Sequence, residues 1–187
     1  MALVALCVFV VSPAVSPVER LGAAAEQAGG LMTREEALGE VYPGASVEAQ
    51  QVFLTEQQQR RAAGLAGVPV PTALIARYVA VRDGLVIGRA YVDSHVVRTK
   101  RESLLISLDP NGRVLRVDVT AFLEPPEYLA PEAWRRQYAD KLLGDDLHVQ
   151  RAIRPLAGAT LSGRAANEAV RRVLAIDQVL EGLPSPP

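Results

Sequence analysis

One stretch combines small residues, hydroxyls and a following helix: Leu156-Ala157-Gly158-Ala159-Thr160-Leu161-Ser162-Gly163 leads straight into an Ala/Val/Arg-rich segment. Small residues let a backbone approach a ligand closely. The unpaired amides of a helix start, at the positive end of the helix dipole, suit a phosphate. Thr160 and Ser162 place hydroxyls at the same point. The same residues also make an ordinary turn in which Ser162 caps the helix. A second group is His95-Val-Val-Arg98-Thr99-Lys100-Arg101-Glu102, with three cations in four positions. It reads either as a contact for a phosphate or a partner, or as a solvated loop in which Glu102 pairs locally. Glu124 by itself reads as a strand-end carboxylate, and Tyr128 and Trp134 offer ring faces for stacking or act as core lids beside prolines. Asp145-Asp146 follow a glycine and read as a turn. No Ser/His/Asp triad, P-loop or dinucleotide fingerprint occurs.

Composition narrows the chemistry further. The 187 residues are 49% hydrophobic and 22% charged, which suits one domain with a core of its own. A formal charge of −1 supplies no global field for nucleic acid or an anionic surface, so no nucleic-acid partner is expected. One cysteine, Cys7, excludes an intramolecular disulfide and a cysteine-clamped metal centre, and two histidines argue against a metal site. Eighteen of the twenty basic residues are arginine, which reads as a coding bias.

Hydropathy and turn signals supply the elements that must position these groups. Residues 2–11 are all apolar, too short to cross a bilayer but of the length of a secretory apolar region, and Ala14-Val15-Ser16 follows with small residues. We expect residues 1–30 to be a signal or anchor segment with a linker, placing the domain outside the cytoplasm. Thr33 with Glu36, and Thr55 with Gln58, are capping boxes that predict two helices in an N-terminal helical region, 31–72. From Leu74 the period becomes two. Leu74–Arg82 and Leu85–Ser94 flank the hairpin turn Asp83-Gly84; Ser103–Leu108 and Arg113–Phe122 flank Asp109-Pro-Asn-Gly112. Helices are predicted from Pro131 to about Leu143 and from Ser162 to Leu180, before a Pro-rich tail at 181–187. The fold class is α+β: an antiparallel sheet of about four strands packed with N- and C-terminal helices.

Gly158-Ala159-Thr160-Leu161-Ser162 followed by this helix resembles the C-terminal signature of the FMN-binding domain family. That family includes the C subunit of the sodium-pumping NADH:quinone reductase, the Rnf G subunit and small periplasmic FMN-binding proteins. Asp83-Gly84 with Gly88-Arg-Ala-Tyr91 looks like the family's opening hairpin. Phe122-Leu-Glu-Pro-Pro-Glu-Tyr128 stands where relatives carry Glu-Thr-Pro-Gly, and Trp134 and Tyr138 where an aromatic pair follows. The resemblance implies an FMN-binding domain at 73–180. In the family a flavin transferase outside the cytoplasm esterifies the matching threonine, here Thr160, with the FMN phosphate. The implied cofactor-binding set is Ala157, Gly158, Ala159, Thr160, Leu161 and Ser162, with Glu124, Arg98 and Thr99. The implied role is electron transfer in or beside a membrane respiratory or redox complex, with no catalytic acid or base. Arg154 and Ala157 stand where relatives carry an acid and a Ser or Thr. They motivate the alternative, a flavin-free domain of the same fold acting as an interaction or assembly module. A third reading, ranked last because no nicotinamide site is present, is a reductase that binds FMN reversibly.

Overall fold

The computed structural model describes residues 31–183. The expected export segment at 1–30 and the end of the tail lie outside the described residues. The fold is α+β, with five antiparallel strands in the order β1-β2-β3-β4-β5. Helix α1 (Arg34–Val41) precedes β1 (Ser46–Phe53); α2 (Glu56–Ala66) follows it. Strands β2 (Leu74–Arg82), β3 (Leu85–Val96), β4 (Arg101–Leu108) and β5 (Val114–Phe122) complete the sheet. A short helix α3 (Glu132–Arg135) continues as a 3-10 turn (Arg136–Tyr138), and α4 (Thr160–Glu181) closes the fold.

Both capping boxes form: Thr33 and Thr55 each accept from the backbone three residues on, and Glu36 and Gln58 reach back. At the first hairpin Asp83 and Gly84 both take positive φ, 53° and 76°, the geometry that matches strand twist across a two-residue turn. At the second, Asp109 Oδ1 accepts from the amides of Asn111 and Arg113, both at 2.8 Å.

Helix α4 lies on one face of the sheet, where Val173, Leu174 and Ile176 pack with Ile75, Tyr91, Leu104, Ile106 and Val119. Helix α1 covers part of the other face through Ala37, Leu38 and Tyr42 against Ala80, Ala90 and Leu105. Charges bolt α4 to the sheet as well: Asp177 binds Arg89 and accepts from Tyr91 Oη, and Arg172 binds Asp93 at 2.7 Å.

Three expectations need correction. The region before Leu74 is not purely helical, because Ser46–Phe53 pairs with β2 as a fifth strand. It is an edge strand exposed on most positions of both faces, so it carries no apolar alternation. The helix from Pro131 ends at Tyr138 rather than Leu143. There Asp140 turns to φ 62°, and the Asp140 amide and Lys141 carbonyl pair with Val114 at 2.8 and 2.9 Å. Within β5, a period of two groups Leu115 with Val117 and Val119 on a dry face and Val114 with Arg116 on the other, but a register shift at Ser107/Leu108 brings Val114 into the core and leaves Leu115 39% exposed.

Candidate functional site

Helix α4 starts at Thr160, two residues before the predicted start. Its N-cap is Ala159, with φ −132° and ψ 48°, and no side chain caps it. Ser162 therefore does not cap the helix; it lies in the first turn. The amides of Thr160, Leu161 and Ser162 have no carbonyl four residues back within the helix to bond. Gly158, at φ 79°, reverses the chain into this position, a conformation that costs a residue with Cβ about 1–2 kcal/mol.

A cleft of about 210 Å³ opens at this helix start, lined by Gly158, Ala159, Thr160, Leu161 and Ser162, with Arg98 and Tyr128 opposite. Thr160 is exposed there. Ser162 is 1% exposed, and its hydroxyl meets no hydrogen-bond partner among the described residues. The cleft thus holds a row of helix amides, an exposed hydroxyl and a cation, while the unsatisfied Ser162 hydroxyl is buried away from solvent.

Arg98 reaches the cleft from the tip of the β3–β4 hairpin, with its guanidinium 5.2 Å from the Tyr128 ring centroid. Glu124 sets that tip. Its Oε1 accepts from the amides of Arg98, Thr99 and Lys100 at 3.3, 2.8 and 2.8 Å. The Thr99 and Lys100 amides foremost hold the Glu124 carboxyl below the usual carboxylate range. Glu124 and Thr99 are thus engaged with each other and do not line the cleft; they position Arg98. Ala157 is exposed and also lies off the lining.

Below the tip, His95 pairs across the strands with Glu102. Its Nε2 is 3.1 Å from Glu102 Oε2 and its Nδ1 is 2.9 Å from Asp93 Oδ1, the carboxylate that also binds Arg172 of α4. Burial pulls the His95 pKa down, but hydrogen bonds and charge from the two acids outweigh it and raise it to about 9. A cation between two carboxylates therefore ties the hairpin that carries Arg98 to the helix that carries Thr160.

The other wall is fixed by the aromatic pair. Trp134 and Tyr138 meet edge to face, with centroids 5.7 Å apart. Trp134 Nε1 donates to the Arg154 carbonyl at 2.9 Å, and the Arg154 amide donates to Gln137 Oε1 at 2.8 Å. Arg154 is held by its backbone while its side chain stays exposed, so the positive charge there leaves the cleft geometry alone. A Cβ on Gly163 would sit 3.2 Å from Leu156 Cβ and 3.4 Å from Trp134, which keeps the loop close against the helix.

Of the nine residues singled out, the structure gathers Arg98 and Gly158 through Ser162 around one cleft and places Glu124 and Thr99 behind it. Tyr128 is the lining residue left out of that set, although its ring reads as a face for stacking or a core lid beside the prolines. The chain matches no protein-family model and no curated protein.

Proposed function

We propose that this chain is an exported FMN-binding protein that carries electrons in or beside a membrane respiratory or redox complex. The observation that supports the reading is the convergence of Arg98 and the Gly158–Ser162 helix start on one cleft, though the two lie 60 residues apart in sequence. The residues present fit the phosphate end of FMN. Amides 160–162 and the Arg98 guanidinium complement its charge.

Tyr128 and Leu161, the latter 47% exposed, supply apolar surface beside that point for a flat ring. The ring of a bound flavin supplies the redox chemistry, and the protein's part is to bind and orient it. Thr160 carries the hydroxyl that an external flavin transferase would join to the phosphate; its exposure gives that enzyme access.

The test is intact mass of the wild type and Thr160→Ala, both made in a host that exports a flavin transferase. The reading expects a gain of one FMN less one water in the wild type, absent from the variant. No gain in either, with no binding of free FMN on titration, refutes it and favours the flavin-free interaction module. The exposed Arg154, facing whatever approaches this loop, is the feature that favours that second reading.

A further inference from the structure

The two edges of the sheet are finished differently. Along β5, the Val119 carbonyl accepts from the Met32 amide at 3.2 Å, the Val117 carbonyl from Arg135 Nε at 2.9 Å, and Val114 pairs with Asp140 and Lys141. Along β1 no such cover exists among the described residues: the strand pairs with β2 alone. Nor does β1 carry the devices that protect an edge. Ser46-Val-Glu-Ala-Gln-Gln-Val-Phe53 contains no lysine, arginine, proline or glycine, its pairing to β2 has no bulge, and Glu48 is its one charge.

The direction of its backbone groups follows from one bond. The Leu54 amide donates to the Ala73 carbonyl at 2.8 Å, continuing the register Phe53↔Leu74. Hydrogen-bonded pairs alternate along an antiparallel ladder, so residues 46, 48, 50 and 52 point their amides and carbonyls at β2. Val47, Ala49, Gln51 and Phe53 point theirs outward. Phe53 is 72% exposed, beside Leu74 at 44%.

We infer that β1 is a homodimer interface: a second copy adds its own β1 antiparallel, with the two-fold axis at Gln50, making one continuous sheet. The residues select this register. Directly opposed residues must lie on the same face, so with near-complete overlap the axis falls on Ala49 or on Gln50. The Gln50 axis sets Val47 against Phe53 and Glu48 against Val52 of the other copy. The Ala49 axis sets Phe53 against Ala45 and brings the two Glu48 carboxylates into diagonal neighbourhood, where like charges repel. Outward pairing of Val47 with Phe53 and Ala49 with Gln51 then satisfies every outward amide and carbonyl from 47 to 53.

Engineered cysteines in a Cys7→Ser full-length background test the register. At the Gln50 axis the two Gln50 residues form a non-hydrogen-bonded pair, with Cα atoms roughly 4.5 Å apart, within disulfide reach. Gln50→Cys should therefore give a cross-linked dimer under mild oxidation, whereas Glu48→Cys alone should not. Light scattering across a concentration series should report twice the 20.1 kDa chain mass for the wild type. Ala49→Pro should return a single-chain mass with an unchanged circular dichroism spectrum, since proline there removes an outward donor and leaves the β2 ladder whole. A single-chain mass at every concentration overturns the inference. So does a dimer that survives Ala49→Pro, or equal cross-linking of the two cysteine variants; each assigns the edge to another occupant or leaves it solvated.

Discussion

The charge on His95 gives the fold a pH dependence whose direction and size can be worked out. Its folded pKa of about 9 stands above the ordinary 6.5, so the folded chain holds the proton more tightly than the unfolded chain. The contribution is complete below about pH 6.5 and is lost as pH rises through about 9. At roughly 1.4 kcal/mol for each pH unit, the gap corresponds to about 3 kcal/mol. The loss has a structural cause. A neutral ring leaves the Glu102 carboxylate, 0% exposed and with Oε1 unpartnered, buried without its counter-charge. With a urea slope of roughly 2 kcal/mol/M, the unfolding midpoint should fall by about 1.5 M between pH 6 and 10. His95→Gln carries no charge at any pH, so its midpoint should start lower and stay flatter over that window. The difference between the two curves isolates His95 from the other groups that titrate there. Parallel curves would refute the assignment of a protonated His95 between Asp93 and Glu102.

Ser162→Ala tests the buried hydroxyl of the first turn of α4. Removing an unsatisfied group should leave the thermal midpoint unchanged or raise stability by about 1 kcal/mol; a loss above about 1 kcal/mol would show that the hydroxyl is partnered in the folded chain. Asp177→Asn removes the nearer of the two carboxylates on the Arg89 guanidinium, itself 3% exposed, leaves Glu181 at 3.7 Å as its remaining counter-charge, and should cost about 3 kcal/mol in urea unfolding. A loss under about 1 kcal/mol would show that Arg89 finds another partner.

What could be read in the sequence was whatever local chemistry dictates. Thr33-Arg-Glu-Glu36 and Thr55-Glu-Gln-Gln58 start helices through their own side chains, and Asp83-Gly84 closes a hairpin through its own φ angles. The helix after Gly158 was legible in outline, but its start was not: no side chain caps it, and it begins at Thr160 rather than Ser162. What escaped was decided by neighbours far along the chain. β1 is a strand because β2 offers it a ladder, and nothing inside Ser46–Phe53 announces this. The helix after Pro131 stops at Tyr138 because Val114 competes for the next backbone groups. Glu124 could be recognised as a carboxylate of interest, but its task of holding three amides of the 98–100 tip depends on a hairpin 24 to 26 residues earlier.

The excess of arginine over lysine, whatever its origin in coding, has a structural use that bears on the cleft. Residues 139–159 contain little regular structure, so their carbonyls need donors from elsewhere. Arg171 of α4 supplies them: it donates to the carbonyls of Ala66, Gly144 and Leu147, joining α2, the irregular segment and α4. Arg172 donates to the Pro69 carbonyl while binding Asp93, and Arg135 bonds the carbonyls of Val117 and Ala130. A planar fork of five donors can reach several acceptors at once; an ammonium on a flexible stem is a single point charge and cannot span them. Lysine at 171 would therefore keep the charge and lose the bridge. The loop that delivers Gly158 to the start of α4 is held from the helix it precedes, which makes the helix both the wall of the cleft and the scaffold for its entrance.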